Sequence, residues 1–153
     1  MEAISEARAR AFVEAAPVAH IGVVHDGEPY VTPMSFVVDG NRILFRTKPG
    51  RRFAAIEQNP VVSVEVSSYD VSTGDWTSVI IKGIASETTD EATINLTVER
   101  LFAKYRDALG SPLSRGGLQP LASFPHVVVI DIEDITGMAS SGGFGDRTRP
   151  GRL

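Results

Sequence analysis

Hydrophobic and polar positions along this chain mostly alternate with a period of two, in short runs divided by Gly, Pro and Asp. From Val18 the run VAHIGVV is apolar enough for a buried strand, and His25-Asp26-Gly27-Glu28 follows with the Asp-Gly signal of a tight hairpin turn. The next run, Tyr30 to Val38, is rich in β-branched and aromatic residues but contains Pro33. Proline cannot donate to a ladder, so an edge, a bulge or a ligand-facing gap is expected there. A second Asp-Gly, Asp39-Gly40, leads into a strand from Arg42 to Thr47. Three strands joined by two tight turns make a meander, which is an antiparallel arrangement. Val61 to Val66 alternates Val, Ser, Val, Glu, Val, and Trp76 to Ala85 is a strand centred on Val79, Ile80 and Ile81, with a polar loop, Ser67 to Asp75, between them. His126 to Ile132 is a last strand of the buried type.

Three stretches switch to the helical period. Residues 3 to 16 put Ile4, Ala7, Ala11, Phe12 and Ala15 on one face, and Pro17 ends them. A short helix starts near Arg51 and stops before Asn59-Pro60. Thr88 and Glu91 stand at capping-box spacing ahead of a helix whose packing stripe is Ile94, Val98, Leu101, Phe102 and Tyr105. After Leu109, GSPLSRGGLQP reads as loop, and SSGGFGDRTRPGRL reads as a flexible tail. The elements predict a mainly β protein with peripheral helices, a small antiparallel barrel or sheet. Its expected extent is one domain over 1–139, followed by the tail 140–153.

Composition narrows the setting. A chain of 153 residues, 42% hydrophobic and 22% charged, has the size and make-up of one soluble globular domain. The absence of Cys excludes disulfides, thiolate catalysis and sulfur-ligated zinc. A net charge of -4 argues against general nucleic-acid binding. No apolar run is long enough to span a membrane, and Glu2 and Glu6 fit neither a secretory signal nor a transit peptide, so the expected location is cytoplasmic.

Against that acidic background, the cations at the start of the second helix stand out. Lys48, Arg51 and Arg52 crowd an end that exposed N–H groups and the macrodipole already make positive, where Asp or Glu is the usual choice. The arrangement makes sense if an anion lies there, with phosphate the natural candidate, held by backbone N–H groups, the Thr47 hydroxyl and the guanidinium groups. A solvated basic turn tethered to acidic residues elsewhere is the alternative. Other constellations are weaker. His20, His25 and His126 lack metal-ligand spacing, and no serine occupies a G-x-S-x-G elbow. Gly142-Gly143-Phe144-Gly145 has no strand–helix context for a nucleotide fingerprint. Asp131, Glu133 and Asp134 read as a solvated turn at a strand end.

The order GEPYVTPMSFVVDGNRILFRTKPGRR, then NPVVSVEV, then WTSVIIKGIASE resembles the pyridoxamine 5′-phosphate oxidase-like split-barrel superfamily over about residues 15 to 135. Within it, the chain is similar to the small flavin- or deazaflavin-binding proteins related to nitroimidazole-resistance proteins. The resemblance implies a six-stranded antiparallel split β-barrel that forms a homodimer, with FMN, or alternatively the deazaflavin F420, in clefts at the subunit interface. Carried over by position, it implies that Tyr30, Val31, Thr32, Pro33, Met34 and Ser35 run along the cofactor ring. Thr47, Lys48, Arg51 and Arg52 would then hold the phosphate, and Ser78 would be a polar contact from the opposing strand. Phe53 stands where the oxidase proper has Lys, and the tail lacks that enzyme's Arg- and Trp-bearing substrate motif, so oxidation of pyridoxamine phosphate itself is not implied. The implied activity is a flavin- or F420-dependent oxidoreductase acting on a small-molecule substrate. Catalytic residues are unassigned because the cofactor carries the chemistry. The alternatives are a protein that binds or sequesters flavin, F420 or haem without catalysis, and a dimeric scaffold that has lost its cofactor. The loop Ser67 to Asp75 and the tail are the expected places for substrate selection.

Overall fold

A computed structural model describes residues 1–108 and 124–140. The elements follow in the order β1 (Glu2–Ala3), α1 (Glu6–Ala15), β2 (Ala19–His25), β3 (Glu28–Met34), β4 (Val37–Asp39), β5 (Arg42–Thr47) and α2 (Arg51–Gln58), then β6 (Val61–Tyr69), β7 (Trp76–Glu87), α3 (Glu91–Ala108) and β8 (His126–Ala139). One antiparallel sheet runs β3-β2-β6-β7-β8-β5-β4, with β1 added beside β8. Its two edge strands, β3 and β4, are consecutive in the chain with only Ser35 and Phe36 between them, so the sheet must curl round on itself. The result is the split-barrel architecture that the resemblance implied. The described residues contain eight strands where six were expected. The expected single run from Tyr30 to Val38 divides at Ser35–Phe36 as the chain crosses from one edge to the other, and a two-residue β1 is added.

The hairpin turns form where Asp-Gly predicted them. His25 faces Glu28 across a turn in which Asp26 and Gly27 have φ of 51° and 79°. Two positive φ values are what a two-residue hairpin loop requires, and Gly accepts them without strain. Pro33 lies in β3, which among the described residues pairs only with β2, so the missing donor costs no ladder bond on its other edge.

Inward residues from every long strand fill the barrel, among them Ile21, Phe36, Ile43, Phe45, Val64, Val66, Val79, Ile81 and Ile130, all 0% exposed. A second cluster of Val37, Leu44, Leu101, Tyr105 and Val129 lies outside the barrel wall under α3. Two expected helix faces are corrected. In α1 the buried residues are Ala9 and Val13, with Phe12 and Ala16 partly buried beside them, while Ala7, Ala11 and Ala15 are exposed. Alanine lies on both faces and could not discriminate; Val13 could. In α3 the buried stripe is Thr93, Thr97, Leu101 and Tyr105, and Phe102 is 44% exposed. The first turn of α3 is tied by Asp90, whose carboxylate accepts from the Thr93 amide at 2.9 Å and the Thr93 hydroxyl at 2.6 Å, in place of a Thr88–Glu91 box. A third correction concerns Asp131, Glu133 and Asp134, which lie inside β8, a strand that continues to Ala139. The loop expected after Leu109 and residues 141–153 of the tail, including Gly142 to Gly145, lie outside the described residues. No helix among those described is long and apolar enough to cross a membrane.

The crossover between β3 and β4 is stapled by α3. The Tyr105 hydroxyl accepts from the Phe36 amide at 2.9 Å and is 2.9 Å from the Pro17 carbonyl, to which it donates. The Lys104 ammonium donates to the Phe36 carbonyl at 3.0 Å and sits 3.8 Å from the centre of the Phe36 ring. Burial pushes the Lys104 pKa down to about 8, a shift that the Glu14 carboxylate partly opposes. Between pH 8 and 10.5 the unfolded chain therefore holds more protons than the native one, and stability should rise with pH. The expected gain is about 1–2 kcal/mol once the screening of a half-exposed ammonium is discounted. Urea midpoints measured from pH 7 to 10.5 should rise more steeply in the native sequence than in Lys104→Met. Parallel profiles would show that Lys104 is not desolvated.

Candidate functional site

β5 ends at Thr47, the chain turns through Lys48-Pro49-Gly50, and α2 begins at Arg51. Gly50 gives the helix no side-chain cap, and its first turn holds no acidic residue. Arg52 folds back from that turn across two strands. Its Nε and one Nη donate to the Thr47 hydroxyl at 3.3 and 3.1 Å, and the other Nη donates to the Thr32 hydroxyl at 3.1 Å and the Pro33 carbonyl at 3.2 Å. The guanidinium carbon stands 5.3 Å from the centre of the Phe45 ring. Thr47 is 2% exposed, and burial holds the Arg52 pKa below its ordinary value. No ion pair among the described residues includes Arg52. A partly buried cation that meets only neutral oxygens is poorly compensated, so the site favours an anion.

Arg51 swings the other way. It lies 3.5 Å from the Glu28 carboxylate and 4.4 Å from the centre of the Tyr30 ring, both on β3. The ion pair is exposed and contributes little, so Arg51 can be redirected cheaply. Lys48 is exposed at the turn and makes no ion pair among the described residues. Along β3, Val31 is 63% exposed on the outer surface, and Met34 is buried in the core. Ser35, just beyond the strand, is exposed and its hydroxyl contacts Tyr105. The free edge of β3 also presents backbone groups that no strand among those described pairs.

The structure thus brings Tyr30, Thr32, Pro33, Thr47, Arg51 and Arg52 together, with Lys48 on their border. It does not bring Ser78 there. Ser78 sits on the outer face of β7 opposite Met138, whereas Thr47 faces His126 at the other end of β8. The residues from 126 to 138 amount to roughly 40 Å of extended chain. Three neighbours were not anticipated from the sequence: Glu28 beside Arg51, and His126 with Phe53, whose rings stack at 3.8 Å with 14° between planes. Strand register across the barrel places them, and no local motif announces it. The histidines stay apart, each beside its own carboxylate: His20 at Glu65, His25 at Asp26, His126 at Glu87. A cleft of about 260 Å³ lies elsewhere, between α1 and the β4–β5 turn. Its cations are already matched, Arg10 by Glu6 at 2.8 Å and Arg100 by Asp39 at 3.0 Å, so it does not compete as an anion site.

The curled antiparallel sheet is a split barrel, and comparison with known proteins assigns the chain to a family. Residues 5–139 match the family described as pyridoxamine 5′-phosphate oxidase, and the chain belongs to it. An uncharacterised protein of Rhizobium meliloti is 26% identical over 147 residues, covering 92% of this chain and 95% of its own. Among solved structures, an FAD-binding protein of Mesorhizobium loti superposes with a TM-score of 0.70 at 24% identity, over 92% of this chain and 98% of that one. A Bacteroides thetaiotaomicron protein named for 5-nitroimidazole antibiotic resistance gives a TM-score of 0.72 at 16% identity, over 90% and 86%.

Proposed function

We propose that this protein is a flavin-dependent oxidoreductase that acts on a small-molecule substrate, with FMN as the cofactor and F420 as the alternative. The observation that carries the reading is Arg52, a partly buried guanidinium bonded only to neutral oxygens at the mouth of an edge strand. A phosphate fits it. Arg52, Arg51 and Lys48 would supply charge, and the Thr32 and Thr47 hydroxyls would hold the guanidinium in place. Tyr30 to Ser35 would lie along the ring, with Val31 as apolar wall and the free backbone edge as hydrogen-bonding partner. When bound, the flavin supplies the hydride or electron transfer; this chain's residues anchor, orient and shield it. Family membership supports a flavin, and the Mesorhizobium loti protein is itself named for FAD binding.

The working unit in this reading is a cytoplasmic homodimer with the cofactor between subunits. The outer face of the sheet is where the second chain would lie. Val31, Val61, Tyr69 and Ile80 are 63%, 59%, 66% and 39% exposed there. Cross-strand partners Val31, Gly22, Ser63 and Lys82, and likewise Pro33, His20, Glu65 and Ile80, show that the strands share that face. In this reading a second chain laid on that face would bring its own Ser78 to the cofactor. The test is titration of the purified protein with FMN, FAD and F420, followed by fluorescence and native mass, and then by reduction of the loaded protein with a nicotinamide donor. One molecule of a single cofactor per subunit of a dimer, with turnover, is the expected result. Tight binding without reduction by any donor would favour a storage protein, and no binding of any of the three would reject a flavin role.

A further inference from the structure

The start of α2 lacks the usual means of being held. Lys48, Arg51 and Arg52 crowd its positive end, Gly50 offers no cap, and no acidic residue sits in its first turn. Arg52 reaches back to the Thr47 hydroxyl, and these bonds depend on where the first turn sits. The third residue of the helix, Phe53, is 8% exposed and stacks face to face on His126. His126 opens β8 directly opposite Thr47, and its Nδ1 lies 2.7 Å from a Glu87 carboxylate oxygen at the end of β7. The ring is therefore held on one side by the ends of β7, β8 and β5, and it presses on the helix from the other. Among the described residues the His126 ring makes no hydrogen bond to Arg51, Arg52 or Thr47, so the ring's influence on them runs through Phe53.

We infer that His126 is a positioning residue for the anion site, acting through its stack on Phe53 to set the first turn of α2, with Glu87 holding the imidazole in plane. This rests on the reading of the Arg52 cluster as a phosphate anchor. The defect expected on losing the ring is specific to the phosphate, because among the described residues no hydrogen bond, ion pair or ring contact joins His126 to the strand offered to the flavin ring, Tyr30 to Ser35.

The experiment compares FMN with riboflavin, which carries the same ring and no phosphate, in the full-length native protein, His126→Ala and His126→Phe, with thermal midpoints recorded in parallel. His126→Ala should weaken FMN at least tenfold and riboflavin less than twofold. His126→Phe keeps a flat ring on Phe53 and should return FMN affinity to within about threefold of native. Equal losses on both ligands, no loss on FMN, or no recovery in His126→Phe would each overturn the assignment. If His126→Ala is too unstable to titrate, His126→Leu, which fills the space without a flat ring, takes its place: a phosphate-specific loss there with recovery in His126→Phe supports the assignment, and native-like FMN affinity in His126→Leu rejects it. Failure of the native protein to bind FMN would remove the FMN reading and this inference together, whereas native binding with an unchanged FMN-to-riboflavin ratio in the alanine variant removes this inference alone.

Discussion

Replacing Phe45 with Ala should lower the unfolding free energy by about 3–5 kcal/mol, a large share of the roughly 5–15 kcal/mol that holds a domain of this size. Phe45 is 0% exposed in the middle of β5, opposite Val128, which is also 0% exposed. Removing the ring leaves a cavity walled by strands that are hydrogen-bonded on both sides and cannot close in. The ring also lies under the Arg52 guanidinium, so the same substitution should loosen the anion site. Phe45→Leu separates the two effects: it should recover most of the stability while leaving Arg52 without an aromatic face. Urea unfolding monitored at Trp76 reads the first effect, and cofactor affinity the second. A loss under about 1 kcal/mol in Phe45→Ala would mean that the barrel interior is not packed around this side chain.

How far such features could be read beforehand depended on whether the cause was local. The hairpin at Asp26-Gly27 was legible because positive φ values select those residues, and Pro33, lacking a donor, made an edge one of three readings of its strand, the others being a bulge and a ligand-facing gap. The basic start of α2 was legible for the same reason: helix termini impose rules on nearby residues. The continuation of β8 was not. Asp131 faces Arg42 and Asp134 faces Lys82 on the solvent side, while Ile132 and Ile135 turn inward or partly so. The alternation breaks at Glu133-Asp134 because the β7–β8 register slips between Lys82 and Gly83, and one extra residue is absorbed there. A cause lying on another strand, seen along one strand, looks like an end. The His126–Phe53 stack and the Glu28–Arg51 pair were hidden likewise, since each joins elements far apart in the chain.

Replacing Arg52 with Ala should weaken the phosphate-bearing cofactor by about 1.5–3 kcal/mol, roughly 10- to 150-fold in dissociation constant, while changing the stability of the protein without cofactor by no more than about 1 kcal/mol. The two effects separate because the charge has no carboxylate to lose. Without an anion, the guanidinium's bonds to Thr32, Thr47 and the Pro33 carbonyl are offset by the cost of desolvating it, and that cost is what lowers its pKa. With a phosphate present, the same desolvation strengthens the attraction. Arg52→Lys keeps the charge but loses the planar fork that spans β3 and β5, so its affinity should fall between native and alanine. Lys48→Ala, at an exposed position, should cost less than either. Calorimetric titration of the three variants, paired with urea midpoints, tests the ordering. Native affinity in Arg52→Ala together with a strong loss in Lys48→Ala would move the phosphate out to the turn, and β3 would then have no tie to it.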